Sequence, residues 1–499
     1  MEKFHGLYEK GLYEIAEDLS GSKLNNKDIT PIRLIDRNWG IYHYIALWVS
    51  IIICVMSYMT TSRMIAQGMS WWQALLTVLL ANVIVLIPMV LNSHSGAKYG
   101  LSSPVLLRAS FGVYGARLPV LIRACVACLW FGIQSWINAY VLYYIIISVI
   151  PKLDNSPQIG IIGINYIGLL CYLVVLFLCL IVIKGRIRLL RHILAISAPI
   201  LILLMVVFLI LIHKSAGDWG AIIKKKSTFT NTADFFRVFF PHFFTMIAYW
   251  LPLSINISDY TRYAKTQRDH ILGQSFGLPI TMALFAFSGI AITSSTFAIF
   301  SRYVWNPAEI FGGFQNPIII VLGIIGVLIS GVTTNTAVNL VAGGIAFSSL
   351  MPKRISFRGG ALITAIIGTL ILPWRIYAGF TEYVYSWLVA YSAVLTPILG
   401  IMLCDYFFIR GSTLNPVDLY DAKGAYRYKN GVNSRAIIAL FVGILPSLPE
   451  ILLKMNFFSG LAIASFLNSF YPYSFFIGFC LSLGVYYFLM LPEKRVETQ

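Results

Sequence analysis

Charge is scarce in this sequence, and acidic charge is scarcest. Only 11% of the 499 residues are Asp, Glu, Lys or Arg, and Asp plus Glu number 20. A soluble domain carries about a quarter of its residues charged and about half apolar. Here 58% are apolar and the mean hydropathy is +0.78. A large soluble core is excluded and an integral membrane protein remains; the long apolar runs below make the expected fold class all-α. Cysteine is sparse as well, with seven residues. Cys125 and Cys128 form a CxxC inside an apolar run, with no second pair and no histidine close by. A zinc site needs four ligands, so the thiols read as small buried groups. The chain has no HExxH, no paired intramembrane carboxylates and no Ser–His pair at helical spacing, so a membrane-embedded enzyme has no candidate machinery. A channel would want a charged ring or a repeated filter loop, and neither is present.

What is present is apolar length. A membrane span needs about 20 mostly apolar residues. Twelve such stretches are expected, at 41–66, 72–96, 118–150, 159–183, 192–213, 238–258, 272–300, 316–350, 360–378, 383–408, 436–455 and 460–491. No long soluble domain interrupts them. The domain organisation is then a polar amino-terminal tail (1–40), a transmembrane domain (41–492) and a short carboxy tail (493–499). The first apolar segment starts after about 40 polar residues, so a cleavable signal peptide is not expected. With the amino terminus inside, 26 of the 37 Lys and Arg fall on cytoplasmic segments and 10 outside, with Arg123 alone within a span. Cytoplasmic loops concentrate basic residues, so both termini are expected in the cytoplasm and the net charge of +17 needs no nucleic-acid partner.

Polar side chains enter the spans in three places. In the third, Trp130, Gln134 and Asn138 are spaced i, i+4, i+8 and share one helical face. An indole face beside a carboxamide suits a flat heterocycle with an amide edge, because Gln offers both a donor and an acceptor. The other reading is interhelical packing glue. In the sixth, "MIAYWLPLSINISDYTRY" places Pro252 mid-segment. It marks either a helix broken at the midplane around a site or a kink healed by neighbours. In the eighth, Ser330, Thr333, Thr334, Asn335, Thr336 and Asn339 form the densest polar cluster of any span. Hydroxyl and backbone oxygens make a neutral ligand set for a small alkali cation; the alternative is back-bonding to the helix. The ends of spans hold Asp259, Asp405, His43, His94 and His242, which read as structural or interfacial, and Glu450 lies in the eleventh, away from the polar cluster.

These residues carry a resemblance. "NSHSGAKYGLSSPVLLRASFGVYGARLPVLIRACVACLWFGIQSW", "SDYTRY", "TTNTAVNL", "LPW", "GIMLCDYFFIR" and "DLYDAKGAYRYKNGVN" are similar, in order and spacing, to the nucleobase:cation symporter-1 family over about residues 30–490. The resemblance implies a leucine-transporter-like fold, with two inverted five-helix repeats plus two extra helices. It implies a symporter for a nucleobase, allantoin or hydantoin, coupled to Na+ or H+, with no resident cofactor. It also implies roles. Trp130 and Trp250 stack on the two faces of the solute, Gln134 and Asn339 bond it, and Tyr249 supplies a backbone contact where the family often has Gly. Ser50, Ile53, Ser330, Thr333 and Thr334 match the sodium ligands, and Tyr391 matches a gate. The sequence departs from the family at Cys54, where an Asn or Gln is common, so a substrate contact is expected to be lost or moved. Span one has no central Gly or Pro, so a break there is implied by the resemblance alone. The expected partners are the heterocycle, the cation and the lipid bilayer of a cell inner or plasma membrane.

Overall fold

The computed structural model describes residues 6–9, 11–216, 226–302, 304, 306, 309–310, 317–376, 380–449 and 463–497. The helices are α1 (Ile41–Ile52), α2 (Val55–Ala66), α3 (Trp71–Tyr99), α4 (Ser103–Phe111), α5 (Arg117–Val149), α6 (Tyr166–Lys184), α7 (Arg186–Ala216), α8 (Thr232–Asn256), α9 (Ser258–Thr261), α10 (Gln267–Phe300), α11 (Pro317–Asn335), α12 (Val341–Leu350), α13 (Phe357–Leu370), α14 (Pro373–Ile376), α15 (Phe380–Leu403), α16 (Ser434–Ile444) and α17 (Ile463–Glu497). Two small antiparallel pairs, Gly6–Glu9 with Leu12–Ile15 and Gln158–Ile159 with Ile164–Asn165, are the strands among the described residues.

Among the described residues, nine helices are long and apolar enough to cross a membrane, or ten when α1 and α2 count as one bent span. Two further apolar stretches, Phe357–Leu370 and Ser434–Ser447, are shorter than the full spans expected there. Lys224, Lys225, Glu450 and the rest of the expected eleventh span to 455 lie outside the described residues. Large apolar side chains face outward along the helices, with Leu170 57% and Leu203 62% exposed. Lipid rather than water explains a surface of that kind.

The helices pack as two groups. In one, α10 lies against α1 and α3, and α3 lies against α8. In the other, α5 packs on α6, α11, α12 and α13. Helix α7 touches members of both groups, and α15 bridges α8 to α17. The line where α1, α2 and α8 meet α5 and α11 is where the sequence-predicted site residues fall.

Span one is broken, although nothing in its sequence announces a break. α1 and α2 meet at 64°. Ile53 (φ −73°, ψ 79°) and Cys54 (φ −145°, ψ 162°) leave the helical region. The run Ile51-Ile52-Ile53 is β-branched and only modestly helix-favouring. The Cys54 N–H turns to Ile52 O (2.8 Å), so the Ser50 carbonyl loses its normal helical donor.

At Pro252 the structure favours the second of the two readings, a kink healed by a neighbour. α8 runs unbroken through Pro252 to Asn256. A proline inside a helix orphans the carbonyl four residues earlier, here Ala248 O. The Tyr391 hydroxyl from α15 donates to that oxygen at 2.9 Å, which removes the need for a break. Replacing Tyr391 with Phe keeps the ring and deletes this bond. We expect it to lower stability by about 1–3 kcal/mol, the cost of a buried polar group left unpaired. Thermal unfolding of the purified protein would read this, and an unchanged midpoint would remove Tyr391 from that role.

Candidate functional site for a flat heterocycle and a cation

Trp130 and Gln134 lie on the inner face of α5, 6% and 2% exposed. The Trp130 ring meets Tyr249 of α8 edge to face (centroids 6.1 Å) and Tyr391 of α15 (6.3 Å). Trp250 packs edge to face on Trp48 (5.2 Å). The two indoles at 130 and 250 do not touch; the Tyr249 ring contacts both, lying 4.7 Å from Trp250. The Tyr249 ring therefore links the two indoles, at a position from which only a backbone contact was expected. Gln134 Nε2 is buried and has no hydrogen-bond partner. A buried amide donor left unpaired costs about 1–3 kcal/mol, a cost that an amide-accepting ligand would offset.

Asn138 shares the helical face but does something else. Its Nδ2 donates to Gln134 O at 2.6 Å. A Cβ added to Gly331 of α11 would lie 2.5 Å from Asn138 Cγ. That close approach makes Asn138 a packing residue between α5 and α11. Trp136 is likewise packed, against Tyr140 and Trp374.

Asn339 sits in a π-helical turn, Thr336–Leu340, that interrupts the eighth span between α11 and α12. Such turns are frequent at functional sites because they rotate side chains off the α-helical register. Asn339 Nδ2 donates to Asn335 Oδ1 (2.8 Å), and Asn335 Nδ2 donates to Ser135 Oγ (2.7 Å) and Phe131 O (3.1 Å). Asn339 is thus held, through Asn335, to the turn of α5 that carries Gln134. The sequence reading singled out the asparagine pair but had no signal for the turn.

The departure at Cys54 has a partner. Cys54 Sγ lies 3.7 Å from the Tyr249 hydroxyl and 3.4 Å from Ser57 Oγ. Ser57 Oγ lies 3.5 Å from the same hydroxyl. A small thiol on α2 leaves room for a phenol from α8, whose hydroxyl supplies the hydrogen-bonding group that the thiol lacks. Ser57 was missed in the sequence; its only signal is its position one turn after Cys54. A cavity of about 130 Å³ beside Ile53, Cys54 and Ser330 is walled by Leu201, Phe285 and Val327. Its lining is nearly all apolar and does not include Trp130 or Gln134, so it is not the place for an amide edge.

The cation candidates converge at the span-one break. Thr333 Oγ1 lies 2.9 Å from Ile329 O, the back-bonding carbonyl of its own helix, and 3.0 Å from Ser50 O, while Thr334 Oγ1 lies 3.3 Å from Ser50 O and 3.4 Å from Ile51 O. Thr333 Oγ1 also lies 3.2 Å from Ser330 O. Three oxygens, the Ser50 carbonyl and two hydroxyls, therefore crowd one point, with Ser330 O next to it. Ile53, at the break, has left the helical region. The Ser50 hydroxyl is turned away, donating to Leu194 O of α7 (3.0 Å). The arrangement joins both helix groups through uncharged oxygen donors, a set suited to a hard monovalent cation.

Below this site, Arg123 of α5 donates through Nε to Pro252 O (3.1 Å) and Asn256 Oδ1 (2.9 Å), and through Nη2 to Val338 O (3.2 Å). Asp259, beyond the end of α8, accepts from Ser103 N–H (2.9 Å). Burial raises its carboxyl to about 6, against the opposing pull of Arg262, the Ser103 N–H and Arg123. Asp405 is paired with Arg410 (2.9 Å) and accepts from Tyr486 (2.8 Å). His94 bonds Tyr406 (2.9 Å) and His242 bonds Gln67 (2.6 Å), the structural roles expected of them.

Residues 31–478 match the family model described as permease for cytosine/purines, uracil, thiamine, allantoin. The chain is 37% identical over 480 residues to the purine-uracil permease NCS1 of Arabidopsis thaliana, covering 95% of this chain and 79% of that protein. It is 33% identical over 470 residues to the allantoin permease of Bacillus subtilis (strain 168), covering 94% of each. Its fold is similar to that of Mhp1, a nucleobase-cation-symport-1 family transporter in a closed conformation with bromovinylhydantoin bound. The TM-score is 0.76 at 21% identity, covering 94% of this chain and 95% of that one. The architecture is therefore the all-α, leucine-transporter type, and the chain belongs to the permease family for cytosine/purines, uracil, thiamine and allantoin, the nucleobase:cation symporter-1 family.

Proposed function

We propose that this permease is a secondary active symporter that imports a flat heterocycle with an amide edge, of the uracil, cytosine, purine, allantoin or hydantoin class, driven by Na+. The observation that carries the reading is Gln134 Nε2, buried without a partner one helical turn from Trp130. Its similarity to a purine-uracil permease and an allantoin permease points the same way. Trp130 and Trp250 stack on the solute, Gln134 and Asn339 bond its edge, and the Tyr249 hydroxyl, set against Cys54, takes the part of an amide there. Sodium binds among Ser50, Ile53, Ser330, Thr333 and Thr334, where it ties α1 to α11. The two helix groups then rock about the site, because cation and solute favour the state in which both groups reach them. The 26-to-10 division of basic residues supports both termini in the cytoplasm of a cell inner or plasma membrane. No catalytic chemistry is assigned.

The test is uptake into proteoliposomes of radiolabelled uracil, cytosine, allantoin and a hydantoin, with and without an inward Na+ gradient. Accumulation of at least one solute above its external concentration, collapsing when the gradient is removed, is the expected result. Equilibration without accumulation would indicate a passive pore and sink the symporter reading.

A further inference from the structure

A polar cleft of about 630 Å³ opens on the face that carries the amino-terminal segment, well away from the aromatic site. It is formed by residues 27–39, the start of α7, Arg262 and Tyr263 after α9, and Phe357 at the start of α13. Six cationic side chains line it, Lys27, Arg33, Arg186, Arg188, Arg191 and Arg262, against two carboxylates, Asp28 and Asp36.

Both carboxylates are already engaged. Asp36 pairs with Arg33 (3.1 Å) in an exposed i, i+3 bridge. Asp28 pairs with Arg186 (3.5 Å), and its second oxygen accepts the Phe357 N–H (2.9 Å). Among the described residues, no carboxylate lies within 4.0 Å of Lys27, Arg188, Arg191 or Arg262. Asp259 offsets Arg262 in part, from the membrane side.

Two of the guanidinium groups also have donors to spare. Arg191 Nε and Arg262 Nε are buried without a hydrogen-bond partner, and Arg262 is 3% exposed. The other nitrogens of Arg262 are fixed, Nη1 on Asp28 O (3.1 Å) and Nη2 on the Tyr263 hydroxyl (3.0 Å). Arg188 and Arg191 are one turn apart at the start of α7 and so share a face. Arg186, just before them, has φ +56°, an uncommon conformation for a residue other than glycine. That backbone bend fixes where the α7 arginines begin.

We propose that this cleft binds a phosphate-bearing anion, either an anionic phospholipid headgroup or a soluble phosphate compound. Guanidinium groups match phosphate oxygens in geometry and charge. A soluble phosphate monoester brings about −1.5 to −2 of charge near neutral pH, and a phosphodiester headgroup such as that of phosphatidylglycerol brings about −1; either offsets part of the surplus. General enrichment of basic residues on one membrane face accounts for exposed lysines and arginines. It does not account for six cationic side chains gathered on one cleft whose two carboxylates are already engaged. Asp28 already ties the amino-terminal segment to α7 and α13. An anion held by Lys27, Arg188 and Arg191 strengthens that tie.

The test measures binding and needs no transport, so it stands apart from the symporter reading. Melting temperature is followed for protein in phosphatidylcholine nanodiscs during titration with inorganic phosphate and ADP at constant ionic strength. It is also followed in nanodiscs containing phosphatidylglycerol. The comparison protein is the double variant Lys27→Gln/Arg188→Gln, both exposed side chains. Saturable stabilisation by phosphate or ADP that weakens at least tenfold in the variant supports a soluble ligand. Stabilisation by phosphatidylglycerol alone, lost in the variant, supports a lipid headgroup. No stabilisation by any of the three, or equal stabilisation of both proteins, overturns the site.

Discussion

Trp130→Ala is expected to weaken solute binding about 5- to 150-fold. Stacking of a base on an aromatic side chain is worth about 1–3 kcal/mol, and each 1.4 kcal/mol is about tenfold in affinity. Gln134→Leu is expected to do at least as much. It removes the donor that the structure leaves unpaired and would confront the solute's amide edge with an apolar group. Sites built to bond a polar edge discriminate steeply when one partner is missing. The readout is equilibrium binding by tryptophan quenching or calorimetry, with uracil and allantoin as probes. Trp130 is 6% exposed and packs on Tyr249 and Tyr391, so its loss could also loosen the fold. Trp130→Phe separates the two effects, because it keeps an aromatic face and most of the volume. Retained binding in Trp130→Phe with loss in Trp130→Ala and Gln134→Leu supports the stacking-and-edge pair. Unchanged affinity in Trp130→Ala and Gln134→Leu together would remove α5 from the site.

Much of this site was legible because helical spacing is local. The i, i+4 relation of Trp130 to Gln134 and the adjacent hydroxyls of Thr333 and Thr334 follow from 3.6 residues per turn. Where the sequence left readings open, the deciding group came from far along the chain. Pro252 allowed a broken helix or a healed kink, and the hydroxyl that satisfies Ala248 O comes from Tyr391, 143 residues away. Span one carries no Gly or Pro, yet it breaks at Ile53-Cys54, where Thr333 and Thr334, on another span, take up the Ser50 carbonyl. The pairing of Cys54 with Tyr249 spans 195 residues; the sequence could show that an amide was absent but not what replaced it. For Asn138 spacing left ligand contact and packing both open, and the close approach of Gly331, from another span, favours packing.

The cation half allows the sharper test of coupling. Thr334→Ala is expected to weaken Na+ activation of solute binding by about 10- to 150-fold, the range for losing a polar contact to a charged group at about 1.5–3 kcal/mol. Thr333→Ala should act in the same direction, because its hydroxyl shares the Ser50 carbonyl with that of Thr334. Both hydroxyls lie within hydrogen-bond distance of backbone carbonyls. In the proposed site a bound cation would take their oxygen lone pairs and the Ser50 carbonyl as ligands. Because α1 and α11 belong to different helix groups, a cation that contacts both would bind with an affinity set by how the groups are disposed. Such a dependence would couple a gradient to transport: a ligand shifts a conformational equilibrium only by its differential affinity for the two states. Thr334→Ser keeps the hydroxyl and should keep most of the Na+ response, whereas a purely structural role for the Thr methyl would give Ser and Ala the same phenotype. The measurement is solute affinity as a function of Na+ concentration, with K+ holding ionic strength constant. Uptake indifferent to Na+ in the unmodified protein, but failing as pH rises, would mean proton coupling. The Thr333–Thr334–Ser50 cluster would then be a helix-packing device.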